Sequence, residues 1–153
     1  MKDAVLREAQ ELIRETFEGG LPGQGTQYLD HDSGIRSTLG TLAPDQASFS
    51  RTGHPTIAAH ARHMNFHLRA VSEWMEGDRR KRDWKGSFKP ERVNADEWSQ
   101  LQEDLERSRS ELIRVLASLD AERFEKEGIG AAMGAVAHLA YHLGAIRQLL
   151  HDA

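Results

Sequence analysis

Residues 56–68 read TIAAHARHMNFHL and residues 137–150 read AHLAYHLGAIRQLL. In both, apolar residues recur at spacings of three and four, the period of one helix face. His60, His63 and His67 fall on the seam of Ile57, Met64, Ala70, Val71 and Trp74. His138 and His142 fall on the seam of Ala135, Ala145, Ile146 and Leu149. The pattern predicts two amphipathic helices whose buried stripes carry imidazoles.

The same period extends outward in both directions. The helix carrying His60 begins near Pro55, a residue suited to a first helical turn, and stops near Gly77. Before it, residues 2–18 place Val5, Leu6, Ala9, Leu12, Ile13 and Phe17 on one stripe, ended by Gly19, Gly20 and Pro22. Residues 19–32 read as a loop, and Ser33 to Leu42 as a short helix that Pro44 stops. After it, Asn94 followed by Glu97 is close to a capping box. Trp98, Leu101, Leu105, Leu112, Val115, Leu116 and Leu119 continue that helix. The last runs from about Ala131 to Leu150, set off by Gly128 and Gly130. No stretch alternates as a strand does. The expectation is an all-α chain, a four-helix bundle with long connections between helices one and two and between two and three, in a single domain over residues 1–153.

Composition sets bounds on function. With 39% apolar and 29% charged residues the chain has the balance of a globular protein rather than a disordered one. A net charge of -4 gives no reason to expect nucleic acid or an anionic membrane as partner. No 18 consecutive residues are apolar and the N-terminus lacks a signal-peptide core, so the expected location is cytoplasmic. There is no cysteine, which excludes disulfides, thiolate metal sites and a protein-borne sulfur nucleophile.

The eight histidines carry the chemistry. An HxxxH pair on a helix directs two nitrogens at one ion, and a third imidazole from a facing helix would close a three-histidine site open to water or substrate. The alternative for each residue is a core histidine satisfied by a backbone or water partner. Five buried imidazoles without partners would be costly, which favours a shared role. His54 beside Pro55, His31 in the glycine-rich loop and His151 on the opposite face from His142 are assigned no function. Trp74 and Trp98 fall on seams and are expected in the core. Trp84 and Phe88 are expected to cover the bundle end or a dimer interface. The run Arg79-Arg80-Lys81-Arg82 reads as a solvated loop, with an anion-binding loop as its alternative.

The two histidine segments resemble the DinB-like (DinB/YfiT) superfamily. Its members are four-helix bundles with a metal held by one histidine of the second helix and an HxxxH pair of a later one. The first ligand there sits seven residues after a Thr or Ser that opens the helix. Thr56 leads in this way to His63, with Met64 after it. The pair maps onto His138 and His142, with Leu143 and Ile146 following. The stretch DWKGSFKPERV (83–93) also resembles a subgroup.

The resemblance implies metal ligands His63, His138 and His142, a divalent ion with Zn or Ni foremost, and a homodimer. It implies a small-molecule substrate, with transfer of a low-molecular-weight thiol of the bacillithiol or mycothiol type to an electrophile as one activity. Metal-dependent hydrolysis and a non-enzymatic metal- or ligand-binding bundle are the alternatives. His60 and His67 depart from the family pattern. Each is a candidate acid/base or a partner to a ligand, against the reading of a buried polar residue.

Overall fold

Side-chain caps fix where two of the long helices of the computed structural model begin; it describes residues 1–50 and 53–151. Thr56 Oγ1 accepts a hydrogen bond from the Ala59 amide at 3.0 Å and opens α4 (Ile57–Met75). The Asn94 side chain accepts from the Glu97 amide, and the Glu97 carboxylate accepts from the Asn94 amide, each at 2.9 Å. This reciprocal cap opens α5 (Ala95–Ser118). The first helix, α1 (Lys2–Glu18), ends at Gly19, whose φ of 81° suits glycine alone among common residues.

Between α1 and α4 lie two short helices, α2 (Ile35–Gly40) and α3 (Pro44–Ala47). Pro44 does not only stop a helix, as expected; it also starts the next, its missing N–H being an orphan of the first turn anyway. The loop ahead of α2 is tied to α1 by Glu15. Its buried carboxylate accepts from the amides of Gln27, Tyr28 and Leu29 at 2.6–2.7 Å. Burial pushes that carboxyl up, but the three amides outweigh it and hold the pKa below the usual value.

The last helix departs from expectation. Asp120 caps α6 (Ala121–Arg123), a π-helical turn at Phe124–Gly128 follows, and α7 (Ile129–His151) continues without a break. Gly128 is inside this rod rather than before it. Its missing Cβ makes room for Phe124, whose ring would lie 2.7 Å from that atom.

Among the described residues there is no strand, and α1, α4, α5 and α7 form a four-helix bundle. α4 packs against α5 and α7, and α1 packs against both of these in turn. Ile13 and Phe17 of α1, Met64 and Leu68 of α4, Leu105, Leu112 and Leu116 of α5, and Leu139, Leu143 and Ile146 of α7 are buried between them. α4 therefore faces α7 with one side, and that side carries the histidines.

Two tryptophans were expected in the core. Trp98 is there, buried, with its indole N–H donating to the Leu42 carbonyl at 3.0 Å. Trp74 is not: it is 40% exposed, and the Arg79 guanidinium lies 3.9 Å over its ring. Trp74 stands in the last turn of α4, where the chain leaves the helix and an arginine covers the indole from outside.

Candidate metal centre

α4 presents His60, His63 and His67 on successive turns, and α7 presents His138 and His142 one turn apart. The α4–α7 contact brings all five rings together. His63, His138 and His142 each offer one nitrogen, and these three atoms lie within 4.8 Å of one another. Their ring centroids are 4.5–4.9 Å apart. Nitrogens bonded to one tetrahedral ion at about 2.0–2.1 Å lie roughly 3.3 Å apart, a distance that side-chain rotation can reach from here.

The other two histidines flank this trio. His60 Nδ1 is 2.8 Å from His142 Nδ1. The His67 ring stacks on His138, with centroids 3.8 Å apart and planes 8° from parallel. His31, His54 and His151 lie elsewhere and are exposed, His31 donating from Nδ1 to the Gly20 carbonyl at 2.5 Å.

The electrostatics are those of a neutral cluster. Burial lowers the pKa of His60 and His63. Burial first, then the neighbouring imidazoles, push His67 and His142 down to about 3 and His138 to about 4. At neutral pH all five rings are uncharged, the state that metal ligation requires. Within these rings two buried nitrogens find no hydrogen-bond partner, His138 Nε2 and His67 Nδ1. An orphaned polar atom at this depth costs about 1–3 kcal/mol. The donor set of neutral imidazoles and the orphan within it both fit a divalent ion.

The connection between α4 and α5 closes over the cluster. Its 3₁₀ turn, Gly86–Phe88, lays the Phe88 ring flat on His63 at 4.0 Å. Ser87 Oγ sits 2.6 Å from His63 Nδ1. Trp84 meets Phe66 edge-on at 5.2 Å and reaches His67 at 5.9 Å. Trp84 and Phe88 were expected over a bundle end or at a dimer interface; here both cover the histidines.

The basic run beside them is spent on holding this connection in place. Arg82 pairs with Glu73 at 2.6 Å and Asp78 at 3.1 Å, Arg80 with Asp78 at 2.8 Å, and Arg79 with Glu127 at 3.2 Å. With three of its four cations paired inside the chain, it is not an open anion trap. Ser87 was the residue that sequence reasoning missed. A loop hydroxyl has no periodicity, and only the path of the connection places it on His63.

A groove of about 400 Å³, lined by none of the histidines, runs between α4 and α7; Val71, Trp74, Trp84, Gly130 and Ala131 wall it together with the charged Arg80, Arg82, Lys126 and Glu127. It is the size of a small-molecule site.

Comparison with curated proteins and with solved structures finds no significant match. A scan against family models does find one: residues 27–146 match the DinB superfamily. That span holds α2 to α5 and most of α7, with all five clustered histidines. The chain therefore belongs to the DinB superfamily.

Proposed function

We propose that His63, His138 and His142 hold one divalent ion, Zn or Ni foremost, and that the protein uses it to transfer a low-molecular-weight thiol to a small electrophile. The observation that carries the metal reading is His138 Nε2, buried and without a partner inside a neutral imidazole cluster. Three protein donors leave a position for an exogenous ligand on a four-coordinate ion. When bound, the ion supplies a Lewis-acid centre that favours the thiolate form of a coordinating thiol.

The sulfur has to come with the cosubstrate, because the chain has no cysteine. In the transfer the sulfur–carbon bond forms as the carbon–leaving-group bond breaks, and the thiol proton departs with the leaving group. The groove between α4 and α7, with Trp74 and Trp84 as well as Arg80, Arg82, Lys126 and Glu127 in its walls, supports a small electrophile with both apolar and charged parts.

The flanking histidines favour transfer over hydrolysis. A hydrolase wants a base whose pKa is near the working pH. His67, pushed down to about 3, is a poor one, and His60 Nδ1 is engaged with His142. Attack by a thiolate needs no such base.

The test starts with metal analysis of untagged protein purified without chelator, then with Zn- or Ni-loaded protein given a thiol and a chromogenic electrophile. The expected result is about one ion per chain and thioether product in step with leaving-group release. Absence of metal after incubation with either ion overturns the metal reading. Metal uptake with ester or amide cleavage but no thioether replaces the transferase by a hydrolase. Uptake with neither leaves a metal-binding bundle.

A further inference from the structure

Ser87 has one hydroxyl proton and two close partners. Its Oγ lies 2.6 Å from the Trp84 carbonyl, which can only accept. The proton is therefore committed there. Toward His63 Nδ1, also at 2.6 Å, Ser87 Oγ acts as acceptor, and the imidazole donates. A neutral ring with its proton on Nδ1 carries its lone pair on Nε2. Burial keeps His63 neutral, so the chain of bonds from His63 to Ser87 to the Trp84 carbonyl selects one tautomer.

From this we propose that Ser87 is a positioning residue that fixes His63 with Nε2 free toward His138 and His142. As a statement about metal affinity it rests on the metal reading above; as a statement about the tautomer it does not.

The placement has a structural basis. Ser87 sits in the 3₁₀ turn Gly86–Phe88, and that turn is held from both sides. The Gly86 amide donates to Asp83 Oδ1 at 2.9 Å, and the Lys89 amide donates to the Gly86 carbonyl at 2.9 Å. Phe88, stacked on the same imidazole, restricts tilting of the ring while Ser87 sets its rotation and protonation. One ligand on α4 is thereby oriented by a loop that the sequence places more than twenty residues away. Groups that orient ligating histidines in this way typically contribute 10–100-fold to metal affinity.

The experiment pairs two readouts on wild type, Ser87→Ala and Ser87→Thr. Nitrogen-15 correlation spectra of the metal-free protein report the tautomer of each imidazole. Competition with a chromophoric chelator reports zinc affinity. In the wild type His63 is expected as the single Nδ1–H tautomer, in Ser87→Ala as a mixture, and in Ser87→Thr as in the wild type. Zinc affinity is expected to fall 10–100-fold in Ser87→Ala and to recover to within a few-fold in Ser87→Thr. His63 found as Nε2–H in the wild type, or unchanged spectra in Ser87→Ala, overturns the proposal. Altered spectra with undiminished zinc affinity overturn its metal half. Should the wild type bind no zinc, the metal reading fails while the spectra still decide what Ser87 does.

Discussion

His60 Nδ1 lies 2.8 Å from His142 Nδ1, so one ring donates to the other and each loses the use of that nitrogen. For His142 to ligate through Nε2, its Nδ1 carries the proton and His60 accepts it. His60 then orients a ligand without being one. Replacing His60 by Ala is expected to weaken zinc binding about 10–100-fold, whereas His142→Ala abolishes stoichiometric binding. Chelator competition on both variants checks this. Equal and complete loss in the two would make His60 a ligand in its own right.

The orphaned nitrogen of His138 implies an exchange of stability for function. In the metal-free protein His138 Nε2 is buried with no partner. Leu has nearly the same volume and no polar atom, and it would pack against the rings of His63, His67 and His142 that now surround His138. His138→Leu is expected to stabilise the metal-free protein by about 1 kcal/mol, the lower end of the cost of an unsatisfied buried group, and to remove metal binding. Urea denaturation in the presence of a chelator measures the first, and metal analysis the second. A variant less stable than the metal-free wild type would mean that His138 has a partner, such as an ordered water.

Much of this centre was legible in the sequence, and the illegible parts share a cause. The caps at Thr56 and Asn94 and the three-four spacing of the seams depend on neighbours along the chain, and α4 and α5 begin where those signals lie. The histidines came with the seams. The start of the last helix did not, because Gly128 and Gly130 look like breakers to a local reading. The close packing of Phe124 and Leu119 around Gly128 is a tertiary reason for a glycine inside a helix. Trp74 follows the period but stands in the last turn of α4, half-exposed under the Arg79 guanidinium. Ser87 depends wholly on the path of the α4–α5 connection.

Acid should destabilise the metal-free protein before any carboxylate titrates. Burial holds His67 and His142 at about 3 and His138 at about 4, well below the ordinary histidine value of 6.5. Between those limits the unfolded chain binds more protons than the folded one, so stability rises with pH. The contribution is complete above about pH 6.5 and is lost as pH falls toward 4 and then 3. The urea midpoint of chelator-treated protein is expected to drop between pH 7 and pH 5, and to drop less in His67→Leu. An unchanged midpoint over that interval would show that the unmetallated rings take up protons in the folded state as readily as in the unfolded chain.

The outer face of α7 offers a test of what surrounds the bundle. Met133 and Tyr141 are exposed there, and a Cβ added at Gly134 or Gly144 would meet nothing within 4 Å. Glycine inside a helix costs about 0.5–1 kcal/mol relative to alanine, and neither of these two has a positive φ to justify it. For the chain standing alone, Gly134→Ala is therefore expected to raise stability by about 0.5–1 kcal/mol, read from the urea midpoint at low protein concentration. A fall in stability instead, and one that deepens as protein concentration rises, would mean that the backbone of a second chain approaches α7 at this glycine. The same variant run on a size-exclusion column distinguishes the two cases. Unchanged elution accompanies the stabilised monomer, and a later elution than the wild type accompanies a broken pair.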